Sequence, residues 1–302
     1  MVNTVKVTIN NQTYNCTLDS STGKYVATIT APGNSSYSQP DHYYPVSVTA
    51  TDQANNTTTV NSADSTLGTK LRLVVKEKTA PVITITTPTK DAYITNSKPT
   101  ITWDVTDNDS GVNASSASLI IDSGAKITTG FTQTAITNGY RFTYTPTTAL
   151  SDGAHTIKVD VMDNDGNAAT QKVNSFKIDT VPPTLSLSTP TDNSLTNKMS
   201  CNITGMTADV TSGLASLTVK INSDAAQAVT VGENGSFTHS VNLTDGENTI
   251  TVVATDVVGK TTTVVRHVTL DRVAPVITDV VISPSAPTTG EVFTITVTVT
   301  DA

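Results

Sequence analysis

One short stretch recurs along this chain and sets what the rest can fold into. Val-Thr-Ala-Thr-Asp ends at Asp52, Val-Asp-Val-Met-Asp at Asp163 and Val-Val-Ala-Thr-Asp at Asp256. Alternating apolar residues lead into each: Val46, Val48 and Ala50; Ile157, Val159 and Val161; Ile250, Val252 and Ala254. A turn rich in Asn or Gly follows, then a strand bearing Thr or Val. Period-two alternation closed by turn residues predicts a half-buried strand running into a hairpin. Recurrence at the spacing of a small domain predicts tandem modules.

The module that is clearest in sequence covers 79–180. Strands are expected at 82–87, 99–106, 119–121, 140–144, 157–161 and 172–178. Within 99–106, Ile101, Trp103 and Val105 share one face and Thr102, Asp104 and Thr106 the other. Asp107-Asn108-Asp109-Ser110-Gly111 and Asp152-Gly153 are turn signals. Residues 181–273 repeat these landmarks. Thr189-Pro190 matches Thr87-Pro88, and Asp245-Gly246 matches Asp152-Gly153. Ile203 and Asp209 each stand 102 positions after Ile101 and Asp107. About seven short strands per module predict an all-β fold of tandem immunoglobulin-like β-sandwiches. The junctions Thr79-Ala80-Pro81, Val181-Pro182-Pro183 and Val273-Ala274-Pro275 predict short, stiff links and an elongated rod.

The flanking pieces read as complementary halves. Residues 274–302 supply two strands, 276–283 and 293–300, followed by Asp301, the counterpart of Asp107 and Asp209. Phe293, Ile295, Val297 and Val299 share one face of the second strand. Covering those four side chains contributes roughly 6–12 kcal/mol gross, at about 1.5–3 kcal/mol each. Residues 1–78 hold the later strands only. Thr4 to Asn10 resembles Thr218 to Asn222, the third strand of its module, and Gly23-Lys24-Tyr25-Val26 resembles Gly235-Ser236-Phe237-Thr238. Two modules, on the order of 60 Å, separate the halves within one chain. The sharper reading is head-to-tail complementation between copies, with Phe293, Ile295, Val297 and Val299 as self-association residues, and it stands behind the plainer ones. The plainer alternatives are fragment boundaries, or a 1–77 module that is complete with fewer strands.

Composition narrows the function classes. Charged residues make up 15% and aromatics 5%, with a net charge of −8, so the basic stripe of a nucleic-acid binder is absent. No apolar run reaches the length of a membrane span. Met1 to Asn10 reads as an alternating strand rather than a secretory leader. Cys16 and Cys201 fall in different modules and read as free thiols. His42, His155, His239 and His267 are scattered and read as surface residues. No phosphate loop, nucleophile elbow or paired-Cys motif is present, so no catalytic residue is assigned and the chain is read as a non-enzyme.

Two weaker candidates remain. Asp107, Asp109, Asp163, Asp165 and Asp179 lie on turns or module ends, where carboxylates can converge on calcium, the one cofactor considered. Against it, Asp and Asn are ordinary turn formers, and the second module has Thr211 and Val258 where the first has Asp109 and Asp165. Residues 31–44 are an insertion carrying Tyr37, His42, Tyr43 and Tyr44, a candidate ligand loop for glycan or protein. The alternative is that Tyr43 and Tyr44 cap the core of the partial module.

The combination of Ala254-Thr255-Asp256 with Gly259-Lys260-Thr261, and of Ile178-Asp179 with Pro182-Pro183 and Leu270-Asp271 with Ala274-Pro275, resembles bacterial immunoglobulin-like repeat modules of the Big type. The resemblance implies a non-catalytic stalk or attachment role in a surface adhesin, in a spacer of a secreted glycan-active enzyme, or in a phage tail or virion. Its implied partners are other copies, virion or surface proteins, and cell-surface glycan. The lack of a leader reading favours the virion setting over the bacterial surface, with an extracellular location in either case.

Overall fold

The computed structural model describes residues 1–301, and these are almost entirely strands and turns. The chain divides into two compact units, with the boundary between Ile178 and Asp179. The first unit begins with β1 (Val2–Ile9), β2 (Gln12–Asn15), β3 (Thr17–Asp19), β4 (Lys24–Val26), β5 (Tyr44–Asp52), β6 (Thr57–Val60) and β7 (Arg72–Leu73). β2, β1, β5 and β6 form one sheet in that order, with β7 on β5, and β3 and β4 form a separate hairpin. The first unit continues with β8 (Val82–Thr87), β9 (Ala92–Ile94), β10 (Ile101–Thr106), β11 (Val112–Ile121), β12 (Thr132–Ile136), β13 (Gly139–Tyr144), β14 (Gly153–Asp163) and β15 (Lys172–Ile178). These make two four-stranded sheets, β12-β13-β10-β8 and β11-β14-β15-β9.

The second unit holds β16 (Thr184–Thr189), β17 (Ser194–Thr196), β18 (Ser200–Ala208), β19 (Leu214–Ile221), β20 (Gln227–Ala228), β21 (Ser236–Asn242), β22 (Gly246–Asp256) and β23 (Thr261–Leu270). Its sheets are β16-β18-β21 and β17-β23-β22-β19-β20. The strand pair β24 (Val276–Ser283) and β25 (Thr294–Thr300) stands as a sheet of its own. Among the described residues the helical elements are three single 3-10 turns, Ser36–Ser38, Pro40–His42 and Gly68–Leu71. No helix is long and apolar enough to cross a membrane.

Alternation places the cores where the sequence pattern puts them. Ile101, Trp103 and Val105 on β10 face Ile157, Val159 and Val161 on β14, and all are buried. Trp103 stacks on Phe142 at 5.4 Å and meets Phe131 edge-on at 5.2 Å. The second sandwich fills the same space differently. Gly205 stands opposite Phe237 in the β18–β21 ladder, as Trp103 stands opposite Phe142. A Cβ at Gly205 would sit 2.8 Å from the Phe237 ring and 2.1 Å from the Ser186 carbonyl, so no side chain fits there. One large aromatic against glycine replaces a stacked pair.

The third-strand equivalence also holds in register. Val7 pairs with Val48 in β1–β5, Leu119 with Val159 in β11–β14, and Val219 with Val252 in β19–β22. Each ladder slips just before it reaches the terminal aspartate.

His155 corrects the surface reading: it is buried, with Nδ1 2.9 Å from Asp122 Oδ2 and Nε2 2.7 Å from the Ser151 carbonyl. Its counterpart Asn248 does the same work. Its amide donates to the Thr244 carbonyl at 2.7 Å and its Oδ1 accepts from Asn222. In both, a polar side chain reaches back four residues to a turn carbonyl and across to a residue of positive φ, Asp122 or Asn222. Buried polar groups persist only when partnered in this way.

Trp103 is the single tryptophan and lies in the first unit, so its fluorescence reports that unit. Ile157→Ala removes a fully buried side chain facing it. The Trp103-reported stability in a urea titration is expected to fall by about 2–5 kcal/mol.

Candidate functional site

Both whole sandwiches gather three carboxylates where their central strands end. In the first unit these are Glu77, Asp107 and Asp163, each with an oxygen within 4.8 Å of the others. Asp163 closes β14, Asp107 follows β10, and Glu77 lies on the segment leading to β8. Local turn chemistry holds them there. Asp107 Oδ1 accepts the N–H groups of Asp109 and Gly111 at 3.1 and 2.7 Å. Asp163 Oδ1 and Oδ2 accept the backbone N–H and side-chain amide of Asn167, both at 2.7 Å. Glu77 Oε1 accepts the Ser110 N–H at 2.7 Å. Burial pushes the Glu77 carboxyl above its ordinary value; the Ser110 hydrogen bond opposes that shift, and the nearby Asp107 and Asp109 charges add to it.

The equivalent set in the second unit is Asp179, Asp209 and Asp256, again with oxygens within 4.8 Å of one another. Asp209 Oδ1 accepts from Thr211, Ser212 and Gly213 N–H groups at 3.2, 2.9 and 2.7 Å. Asp256 Oδ1 accepts the Lys260 N–H at 2.7 Å, and Asp179 Oδ1 the Val181 N–H at 3.3 Å. Asp179 is 0% and Asp256 1% exposed, yet Oδ2 of each has no hydrogen-bond partner. None of the four salt bridges among the described residues reaches this trio. Two unit charges at that separation repel by roughly 3 kcal/mol at an effective dielectric of about 20.

The five aspartates proposed from sequence therefore separate. Asp107 and Asp163 come together; Asp179 joins Asp209 and Asp256 instead. Asp109 is committed elsewhere, with both oxygens accepting the Ser35 N–H at 2.9 and 2.8 Å. Asp165 Oδ2 accepts the Glu77 N–H at 2.9 Å. These two anchor neighbouring backbone, which is why Thr211 and Val258 can replace them without dispersing the second cluster. Glu77, Asp209 and Asp256 complete the two clusters and were not among the sequence candidates. The repeat held the signal: Glu77 stands 102 positions before Asp179, the offset that relates Asp107 to Asp209.

The loop at 31–44 divides its aromatics. Tyr44 is buried and its hydroxyl donates to the Asn34 carbonyl at 3.2 Å, so it is not presented to solvent. Tyr43 lies under Arg72, with the guanidinium 4.8 Å from the ring centre. Tyr37 and His42 stack at 4.2 Å on the exposed side. Ser36 clamps the loop to Val75 through its N–H and hydroxyl at 2.8 and 3.2 Å.

The four tail residues lie on an uncovered strand pair. Phe293, Ile295, Val297 and Val299 are 47–53% exposed, as are Val276, Ile277, Val280, Val281 and Ile282 to a similar degree.

Two stretches of the chain match family models of immunoglobulin-like domains. Residues 81–159 match the bacterial Ig domain, and residues 183–272 match domain B of glucodextranase. No curated protein matches the chain. Among solved structures, the tetra-tandem repeat from the extending region of a large adhesion protein is 17% identical, with a TM-score of 0.35 over 98% of this chain and 79% of that one. Part of a 1.5-MDa bacterial ice-binding adhesin is 19% identical, with a TM-score of 0.34 over 89% and 86%. Sidekick-1 immunoglobulin domains 1–5 are 11% identical, with a TM-score of 0.40 over 99% and 60%. The fold is all-β, of tandem immunoglobulin-like sandwiches.

Glu77 has a raised carboxyl pKa, so the folded state disfavours its charge. That penalty is present in full above the folded pKa and vanishes as pH falls below 4.5, its ordinary value. In chelator at pH 7, Glu77→Gln is expected to raise the Trp103-reported stability, and the gain is expected to shrink toward zero on acidification through that range. A loss of stability at pH 7 would show that the charge is compensated.

Proposed function

We propose that this chain is a non-catalytic, extracellular structural and attachment protein whose immunoglobulin-like modules join copy to copy by strand complementation. One observation supports the reading. The order β13-β10-β8 recurs unbroken as β21-β18-β16 in the second sandwich, whereas the flanking pieces hold the sheet β12-β13-β10-β8 as two halves, β3-β4 and β25-β24. β4 pairs with β3 alone and β25 with β24 alone, so each half has the edge that the other needs. The facing sheet agrees. Val5, Val7, Ile9, Val46, Val48 and Ala50 are half-buried, whereas Leu217, Val219, Ile221, Ile250, Val252 and Ala254 at the same register are buried. The modules on this reading are 1–78, 79–180, 181–273 and 274–302, the first and last being parts of one sandwich. A phage tail or virion is the finer setting proposed, where repeated end-to-end joints build a filament or ring.

A second reading is favoured by the match to glucodextranase domain B: a spacer module of a secreted glycan-active enzyme. A stalk that displays the exposed Tyr37–His42 stack to glycan is the adhesin form of the same proposal.

Light scattering across a concentration series separates these readings. The full chain is expected to grow in mass with concentration, and Ile282→Glu combined with Val297→Glu is expected to hold it at the single-chain mass. A full chain that stays single at all concentrations contradicts copy-to-copy joining and leaves the spacer reading.

A further inference from the structure

Among the described residues, the trio Asp179, Asp209 and Asp256 is the carboxylate cluster that holds buried oxygens without donors. Its counterpart in the first unit shows what is missing. There Asn167 supplies a side-chain amide to Asp163 Oδ2. At the matching position of the same five-residue turn stands Lys260, which gives Asp256 its backbone N–H only. Asp52 follows the first pattern, with Asn56 donating to both of its oxygens at 2.9 Å. The exchange of Asn for Lys thus leaves one aspartate oxygen buried and bare. Asp179, fully buried, adds a second. Asp209, half-buried, opens the group to solvent on one side.

We infer that Asp179, Asp209 and Asp256 bind a calcium ion. The ligands are Asp179 Oδ2, Asp256 Oδ2 and a carboxylate oxygen of Asp209, with water and carbonyl oxygens completing the shell. Three hard, anionic oxygens suit a hard divalent cation, and three carboxylates from separate turns, one of them open to water, suit the flexible coordination of calcium better than the strict octahedron of magnesium. Protein donors already hold Oδ1 of all three, so the carboxylates are oriented before the ion arrives. Glu77, Asp107 and Asp163 form the weaker site, since Asn167 occupies both oxygens of Asp163.

The test is calorimetry on the full chain in chelator, in magnesium chloride and in calcium chloride. All eight tyrosines and the tryptophan precede Asp179, so fluorescence is blind to the second unit and heat must be measured. Titration with calcium alone is expected to show one stronger site per chain, with affinity on the order of 10⁻⁴–10⁻³ M, the range of extracellular modules, and weaker binding beyond it. Calcium is expected to raise the melting temperature of the second unit more than magnesium does. Asp256→Asn relieves the repulsion, so its melting temperature in chelator is expected to equal or exceed that of the parent while the calcium increment disappears. Asp209→Asn, at the half-buried member, is expected to lose the increment as well, which separates ligation from folding. Glu77→Gln is expected to keep it. The inference is overturned if calcium leaves the second unit's melting unchanged, if the increment follows Glu77 rather than Asp256, or if Asp256→Asn lowers melting in chelator and keeps the increment.

Discussion

A sheet that alternates apolar and polar residues has one face that must lie against another sheet, and the architecture of this chain follows from how that requirement is met. In the two whole sandwiches it is met completely. Ile157, Val159, Ile250, Val252 and Ala254 are all 0% exposed. Each lies on a strand flanked on both sides in its own sheet, opposite a second sheet that carries Trp103 and Phe142 or Phe237. The same face built from residues 1–60 is only half covered, and the pair β24–β25 is covered on neither side. An uncovered apolar face and an open edge both favour association over isolation.

The aspartate that ends each central strand is the second recurring device. It accepts N–H groups from the turn beyond it, and that turn places a residue of positive φ at its fourth position: Asn55, Gly166 or Gly259. The turn is thereby fixed whether or not the second carboxylate oxygen has a donor. That leaves one position free to vary. Asn56 and Asn167 satisfy the second oxygen and Lys260 does not. A turn whose carboxylate is fully hydrogen-bonded and one that leaves an oxygen bare therefore differ by one side chain on the same backbone.

Much of this was legible in the sequence, for physical reasons that also mark where legibility ended. β8, β15 and β24 have the bounds that alternation sets, because Pro88 and Pro284 and the Asp179 junction interrupt the pattern. The faces of β10 and β14 follow from period two alone. The buried state of His155 was not legible, because its partners Asp122 and Ser151 are brought to it by two different turns. The carboxylate groups were misassigned for a related reason. Asp179 follows β15 in sequence and was grouped with the turns before it, yet it folds with Asp209 and Asp256 of the sandwich that comes after. A junction residue belongs by contact to the module it enters, and only the repeat offset that relates Asp179 to Glu77 carries that information. Asp109 and Asp165 drew attention as acids, but their oxygens bind backbone N–H groups of Ser35 and Glu77.

We propose that β24 and β25 of another copy join β4 edge to edge and cover the half-buried face of β1 and β5. Amide hydrogen exchange resolved by strand tests it most directly. In dilute solution the amides of 46–52 are expected to exchange much faster than those of 250–256, although the two strands share register and pattern. On raising the concentration, protection of 46–52, of 24–26 and of 294–300 is expected to rise together. Equal protection of 46–52 and 250–256 at every concentration would contradict the proposal, because the face of the first sheet would then be covered without a partner.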